Sequence, residues 1–120
     1  MKVFVSDPTR TILDMLSDPF FGGGIRSTHD MFINYLRSDN KDLALLIEYS
    51  SKLRNGAVFK RLGFLLELIA PEETEVIDKC RSKLTAGNTK LDPNLNNQKL
   101  ITSWRLWVPE NWKGMFQVDQ

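Results

Sequence analysis

The most apolar part of the chain spans residues 57–69, where hydrophobic side chains occupy almost every face of a helix. Its apolar residues are Val58, Phe59, Leu62, Phe64, Leu65, Leu66, Leu68 and Ile69. A helix that is apolar nearly all round belongs in the middle of a core. The pattern therefore predicts a central helix in which Leu62, Leu65, Leu66 and Ile69 are almost fully buried.

Other segments show the spacing of amphipathic helices, with apolar side chains recurring three or four positions apart. The predicted helices start at Pro8, Ser27, Asp42 and Pro71, and they end at Asp18, Arg37, Leu53 and Gly87. The buried face predicted for the second of them consists of Met31, Phe32, Tyr35 and Leu36. Asp7 can cap the first helix, because its carboxylate accepts from free N–H groups of the first turn. Asn55 and Gly56 are predicted to close the third helix as a left-handed cap.

The two ends of the chain differ from this helical middle. Residues 3–5 and 100–108 are predicted strands, and alternation places Trp104 and Trp107 on opposite faces of the second strand. Phenylalanines and glycines at 20–24 predict a turn. We expect one domain over residues 1–110, a loosely ordered tail over 111–120, and a mostly helical α+β fold of about five helices around the central one.

Composition narrows the class of protein. The 120 residues suit a single domain, with 42% hydrophobic and 26% charged residues. Sixteen basic and 15 acidic residues give a net charge of +1, which excludes a strongly basic nucleic-acid clamp. No apolar run approaches the ~20 residues of a membrane span, and the N-terminal apolar stretch is too short for a signal peptide. A single cysteine, Cys80, fits a reducing compartment, so we expect a cytoplasmic location and no membrane partner.

The sequence contains few residues in the patterns that catalysis or metal binding requires. His29 and Cys80 are the one histidine and the one cysteine, which excludes zinc sites with conventional spacing. The glycine run lacks the Lys-Ser/Thr that a phosphate-binding loop requires. Closely spaced aspartates at positions 14, 18, 39 and 42 are typical of helix caps and solvated surfaces. We therefore expect a protein that is not an enzyme and that has no cofactor.

A basic stretch over residues 52–61 is the densest local concentration of positive charge. Such a patch can bind phosphates even on a neutral protein, and exposed aromatic residues near arginine favour protein interfaces or base stacking. The candidate residues for contact with a partner or with nucleic acid are Arg54, Lys60, Arg61 and Trp107. The same residues can also be ordinary parts of a helix end and a packed strand.

The helical period separates the two cations of the central helix. Lys60 belongs to a narrow stripe, together with Gly63 and Glu67, that is the predicted solvent-facing edge of this helix. Arg61 lies away from that stripe, among apolar neighbours, so its permanent charge needs a partner. Two interpretations remain open: an internal ion pair, with Asp14 or Glu48 as candidates, or an arginine presented to a partner molecule.

Several segments together resemble the C-terminal domain of AbiEi-family antitoxins. They are residues 5–16 (VSDPTRTILDML), 22–25 (GGGI), 55–67 (NGAVFKRLGFLLE), 91–93 (LDP) and 104–108 (WRLWV). Their order and spacing cover about residues 4–110.

The resemblance implies the antitoxin half of a type IV toxin–antitoxin, or abortive-infection, system. In that family a winged-helix N-terminal domain represses transcription, and the following domain counters a nucleotidyltransferase-like toxin. The present sequence lacks the winged-helix segment, so a separate winged-helix domain is a possible partner. We expect this chain alone to bind nucleic acid weakly and non-specifically at most. The alternative function is a small nucleic-acid-binding module that uses residues 52–61.

Overall fold

A computed structural model of the chain describes residues 7–53 and 55–116. Within these ranges there are six α-helices and a three-stranded sheet, so the predicted α+β, mostly helical class is confirmed. The helices are Pro8–Ser17 (α1), Ile25–Arg37 (α2), Leu43–Leu53 (α3), Gly56–Ile69 (α4), Thr74–Ser82 (α5) and Trp112–Met115 (α6). The strands are Thr89–Lys90 (β1), Lys99–Ile101 (β2) and Leu106–Val108 (β3). None of the described helices is long and apolar enough to cross a membrane.

Helix α4 occupies the centre of the core, as its apolar surface predicts, and both α1 and α5 pack against it. Leu62, Leu65 and Leu66 are fully buried, which confirms that part of the predicted core. Ile69, which we expected to be almost fully buried, is only partly buried.

The predicted solvent edge of α4 is wrong for two of its three members. Lys60 is buried, and Gly63 lies directly beneath the ring of Trp104. Glu67 alone of the three is exposed, and its carboxylate accepts a 2.9 Å hydrogen bond from the indole N–H of Trp104. Arg81 stacks on the same ring, 4.5 Å from its centre. Trp104, which is about 40 residues further along the chain, therefore covers the face of α4 that the periodicity predicted to be solvent-exposed.

The helix starts show where capping rules succeed and where they mislead. Asp7 caps α1 as predicted, because its carboxylate accepts from the N–H of Thr9 at 3.0 Å. Asn55 also caps a helix, but it is the start of α4: its side-chain oxygen accepts from the N–H of Ala57 at 3.0 Å. Its φ of −110° is not left-handed, so the predicted left-handed C-terminal cap at Asn55 and Gly56 is wrong.

Helices α2 and α5 differ from their predicted limits. Helix α2 begins at Ile25, and its buried face runs through Thr28, Phe32 and Tyr35, whereas Met31 is 43% exposed. Helix α5 occupies only Thr74–Ser82, so the prediction of a longer helix from Pro71 to Gly87 is wrong.

The sheet has the order β1-β3-β2, with β1 parallel and β2 antiparallel to β3. The predicted continuous strand over 100–108 is therefore wrong: it is a hairpin whose turn contains Trp104 and Arg105. Arg105 has a φ of 55°, a left-handed conformation that reverses the chain. The turn directs Trp104 into the core. The predicted strand over residues 3–5 lies outside the described residues.

The C-terminal segment packs on the helices. Phe116 is buried, and its ring stacks on that of His29 with 4.8 Å between centres. Phe64 of α4 contacts both Phe116 and Trp112 edge to face. The expectation of a loosely ordered tail is therefore wrong for residues 111–116, because these aromatic side chains anchor the segment. Residues 117–120 are outside the described part of the chain.

Candidate interaction surface

Arg61 joins three segments through its buried guanidinium group. Nη1 donates to the main-chain carbonyls of Leu16 and Ser17 at 2.8 and 2.9 Å, and Nη2 donates to that of Lys90 at 2.9 Å. The last carbonyls of a helix lack partners within it and carry partial negative charge. Helix α1 has no basic residue in its own last turn, so Arg61 supplies that positive charge from α4.

Carbonyl groups, rather than a contacting carboxylate, surround the charge of Arg61. Asp14 and Glu48 instead form surface pairs with basic residues on their own helices, so the predicted ion pair with Arg61 is wrong. Burial lowers the pKa of Arg61, while the charges of Asp18 and Asp92 act in the opposite direction. The residue therefore serves as a cross-link within the fold.

Lys60 is a second internal cross-link and is only 2% exposed. Its Nζ donates to the carbonyl of Gly87 at 2.9 Å and to Oγ1 of Thr89 at 3.2 Å. Burial lowers the pKa of Lys60, and the nearby charge of Arg105 lowers it further. These contacts hold the segment between α5 and β1 against α4.

The remaining candidates from the sequence are placed differently. Trp107 lies in the middle strand of the sheet, partly buried, with Lys90 and Leu100 as its cross-strand neighbours. Its side chain points away from the core-facing side chains of Leu106 and Val108. Arg54 lies outside the described residues. Of the three predicted contact residues that the structure describes, Lys60 and Arg61 are buried and Trp107 is partly buried, so these three do not form an exposed patch.

Asp92 has a structural role that the sequence analysis missed. Its buried carboxylate accepts from the N–H of Ile25 at 3.0 Å and from that of Asn94 at 2.9 Å. The N-cap position of α2 is Gly24, which has no side chain to satisfy the first turn. Asp92 performs this capping from a position 67 residues further along the chain. In the sequence, only the Asp-Pro pair at positions 92 and 93 indicated a turn at this place.

Residues 18–24, which we call the aromatic turn, present two adjacent phenylalanines to solvent. Phe20 and Phe21 are 69% and 71% exposed. The backbone beneath them is held firmly: Asp18 accepts from the N–H of Phe20 at 3.1 Å, and Gly23 donates to the carbonyl of Phe20 at 3.0 Å. Gly23 and Gly24 have φ values of 85° and 106°, which favour glycine. The sequence analysis identified a turn here but not this surface.

Two grooves lie on either side of Phe20. The apolar groove, with a volume of about 330 Å³, is lined mainly by Gly23, Gly24, Ile25, Leu95 and Met115, together with the charged residues Arg26 and Asp92. The charged groove, with a volume of about 430 Å³, is lined by Ser17, Asp18, Arg61 and Pro93. Phe20 and Asn94 line both grooves and therefore form the ridge between them.

The one histidine of the sequence lies inside the fold. His29 is buried, with its Nδ1 3.2 Å from a carboxylate oxygen of Asp30. Across residues 7–53 and 55–116, no group of three or more histidine, cysteine or acidic side chains could hold a metal ion.

Cys80 is expected to be unreactive in the folded protein. It is fully buried, and burial raises the pKa of its thiol to about 12. Because the thiolate is the nucleophile, burial and a raised pKa both slow the reaction of this thiol at pH 8. Mass spectrometry should therefore detect negligible alkylation by iodoacetamide in native protein and rapid alkylation in urea. Equal rates in the two samples would contradict the buried position.

Comparisons of the chain with family models, with curated proteins and with solved structures returned no match. The resemblance to AbiEi C-terminal domains therefore stays a prediction from the motifs. In the fold, residues 8–16 form most of α1, and residues 56–67 form most of α4. These two motifs meet where Arg61 bonds to the end of α1, and the motif at residues 91–93 contributes the Asp92 cap.

Proposed function

We propose that this chain is a non-enzymatic antitoxin-type regulatory domain that acts through protein contacts in a cytoplasmic type IV toxin–antitoxin or phage-defence system. Its partner is a nucleotidyltransferase-like toxin or a component of that toxin's pathway. A separate winged-helix domain would provide operator binding where transcription is regulated. The observation that carries the proposal is the pair of exposed phenylalanines in the aromatic turn.

The aromatic turn has the physical properties of a protein-contact site. Exposed aromatic side chains gain more than most residues from burial at an interface, and clusters of them on a surface mark interaction sites. The capping bond from Asp18 and the left-handed glycines already order the backbone. Binding therefore loses less conformational entropy than it would at a flexible loop.

The placement of the basic residues favours protein contact over the alternative nucleic-acid-binding function. A phosphate contact by Lys60 or Arg61 would require donors that now bond to main-chain carbonyls in the interior. Leaving those buried carbonyls without donors costs about 1–3 kcal/mol each. Lys60 and Arg61 are thus committed to holding the fold together.

A growth assay tests the proposed function. The chain is co-expressed with a nucleotidyltransferase-like protein encoded by a neighbouring gene, and colony formation is counted with and without the chain. We expect the wild-type chain to restore growth and the Phe20→Ser/Phe21→Ser double variant to lose at least about tenfold of that rescue. Met31→Ser, which changes an exposed apolar residue on α2, is the matched control and should rescue fully. Failure of the wild type to rescue, or full rescue by the double variant, would overturn the proposal.

A further inference from the structure

The surface around the aromatic turn contains both a projecting apolar group and a groove that can receive one. Phe21 lines neither of the two grooves and is 71% exposed, so its ring projects from the surface. The apolar groove, lined by Ile25, Leu95 and Met115 among others, opens on one side of the neighbouring Phe20. Its volume of about 330 Å³ is sufficient for an aromatic side chain.

The charges on this surface are balanced across the ridge. Asp18 and Arg61 line the charged groove on one side of Phe20, and Arg26 and Asp92 line the apolar groove on the other side. Arg61 and Asp92 are buried and bonded to main-chain groups inside the fold, so the charges open to a partner are those of Asp18 and Arg26. Both side chains are exposed, and neither forms an ion pair within residues 7–53 and 55–116. A partner segment of a single charge would place a like charge against one of them. A surface that exposes one acid and one base suits a partner with the same two charges in the opposite order.

We infer that a second copy of this chain occupies the surface, in a two-fold symmetric pair. Phe21 of each copy packs into the apolar groove of the other, and Asp18 of each copy faces Arg26 of the other. In a two-fold symmetric interface every contact occurs twice, once in each direction. A face that has both a projection and a groove, and both an acid and a base, can therefore bind a second copy of itself. The inference rests on the proposed use of this surface for protein contact, and it adds a second copy of the chain to the partners that the surface can bind.

The apolar area available is consistent with a specific dimer. A buried phenylalanine removes about 150–250 Å² from water. Phe20 and Phe21 are 69% and 71% exposed, so those of both copies supply roughly 400–700 Å² of the ~1,200 Å² that a specific interface needs, and the groove walls and charged rim contribute the remainder.

Sedimentation velocity of the purified chain tests this inference without any toxin. Between about 1 and 100 µM we expect wild type and the Met31→Ser control to reach twice the 13.8 kDa monomer mass. Phe20→Ser/Phe21→Ser should weaken dimerisation at least about tenfold, with an unchanged circular dichroism spectrum. A wild-type chain that stays monomeric throughout this range would overturn the inference.

A charge exchange tests the two-fold arrangement itself. Asp18→Lys and Arg26→Glu should each dimerise severalfold more weakly than wild type, because each places like charges in contact. An equimolar mixture of the two variants should recover dimerisation, since the mixed pair restores both opposite-charge contacts. Failure of the mixture to recover, with both variants folded, would overturn the arrangement.

Asp18→Asn provides a second measurement that does not depend on the folding of Asp18→Lys. It keeps the side-chain oxygen that caps Phe20, removes the charge, and should also weaken the dimer. Unchanged dimerisation in this variant would contradict the role of Asp18. The growth assay separates the two proposals: rescue by a monomeric chain would overturn the dimer alone, and a dimer that gives no rescue would overturn the proposed function alone.

Discussion

Replacing Arg61 with methionine is expected to lower the free energy of unfolding by about 3–5 kcal/mol. The substitution keeps an apolar side chain beside α4 but removes the donors to Leu16, Ser17 and Lys90. It also leaves the C-terminal end of α1 without its compensating positive charge. Urea denaturation followed by circular dichroism would measure the loss.

Two control variants, Arg10→Met and Arg61→Lys, show whether the loss comes from the internal bonds of Arg61. Arg10→Met removes an exposed arginine whose contact with Asp14 is a 3.7 Å surface pair, and it should change stability by less than about 0.5 kcal/mol. Arg61→Lys keeps the charge but not the planar fork that reaches both α1 and β1, so an intermediate loss is expected. If Arg61→Met were as stable as wild type, the arginine would not be a structural cross-link, and its presentation to a partner would become the better interpretation.

The Gly63→Ala variant is expected to lose about 2–3 kcal/mol of stability, although alanine favours helices over glycine by ~1 kcal/mol. A Cβ atom at position 63 would overlap the ring of Trp104. That ring cannot easily move, because Glu67 accepts its N–H, Arg81 stacks on its face and the ring is fully buried. Thermal or urea unfolding monitored by tryptophan fluorescence would report both the loss and the displacement of the ring.

Gly114→Ala is the matched control for this prediction. Gly114 lies in helix α6, and a Cβ atom added there meets no atom within 4 Å. The same chemical change should therefore be neutral or stabilise the protein by up to about 1 kcal/mol. Similar effects at positions 63 and 114 would show that Trp104 does not pack against α4 as described.

The expectations that succeeded rest on interactions within a few residues of one another. Asp7 caps α1 because the accepting carboxylate and the free N–H groups belong to the same turn. Leu62 and Leu65 are buried because a helix with apolar side chains on nearly every face is stable only inside the core. Asn55 shows the limit of local chemistry, since asparagine suits both helix starts and left-handed helix ends, and neighbouring residues do not distinguish them.

The candidate surface was harder to predict. The sequence predicted that Lys60 faces solvent. In the structure its ammonium group is buried, because oxygen atoms of Gly87 and Thr89 accept its hydrogen bonds. Phe20 and Phe21 lie outside any regular periodic pattern, so the sequence offered no basis for assigning them to core or surface. Their exposure depends on how the aromatic turn is held by the segments around it.

The sequence by itself determined the helical class, the central position of α4 and most of its buried face, because periodicity and capping act over one or two turns. The tertiary structure alone decided which residues complete the C-terminal end of α1 and the start of α2. Arg61 reaches the end of α1 across 45 residues of chain, and Asp92 reaches the start of α2 across 67. A hydrogen bond between such distant positions exists only after packing brings the segments together, and no local pattern encodes which donor will meet which acceptor.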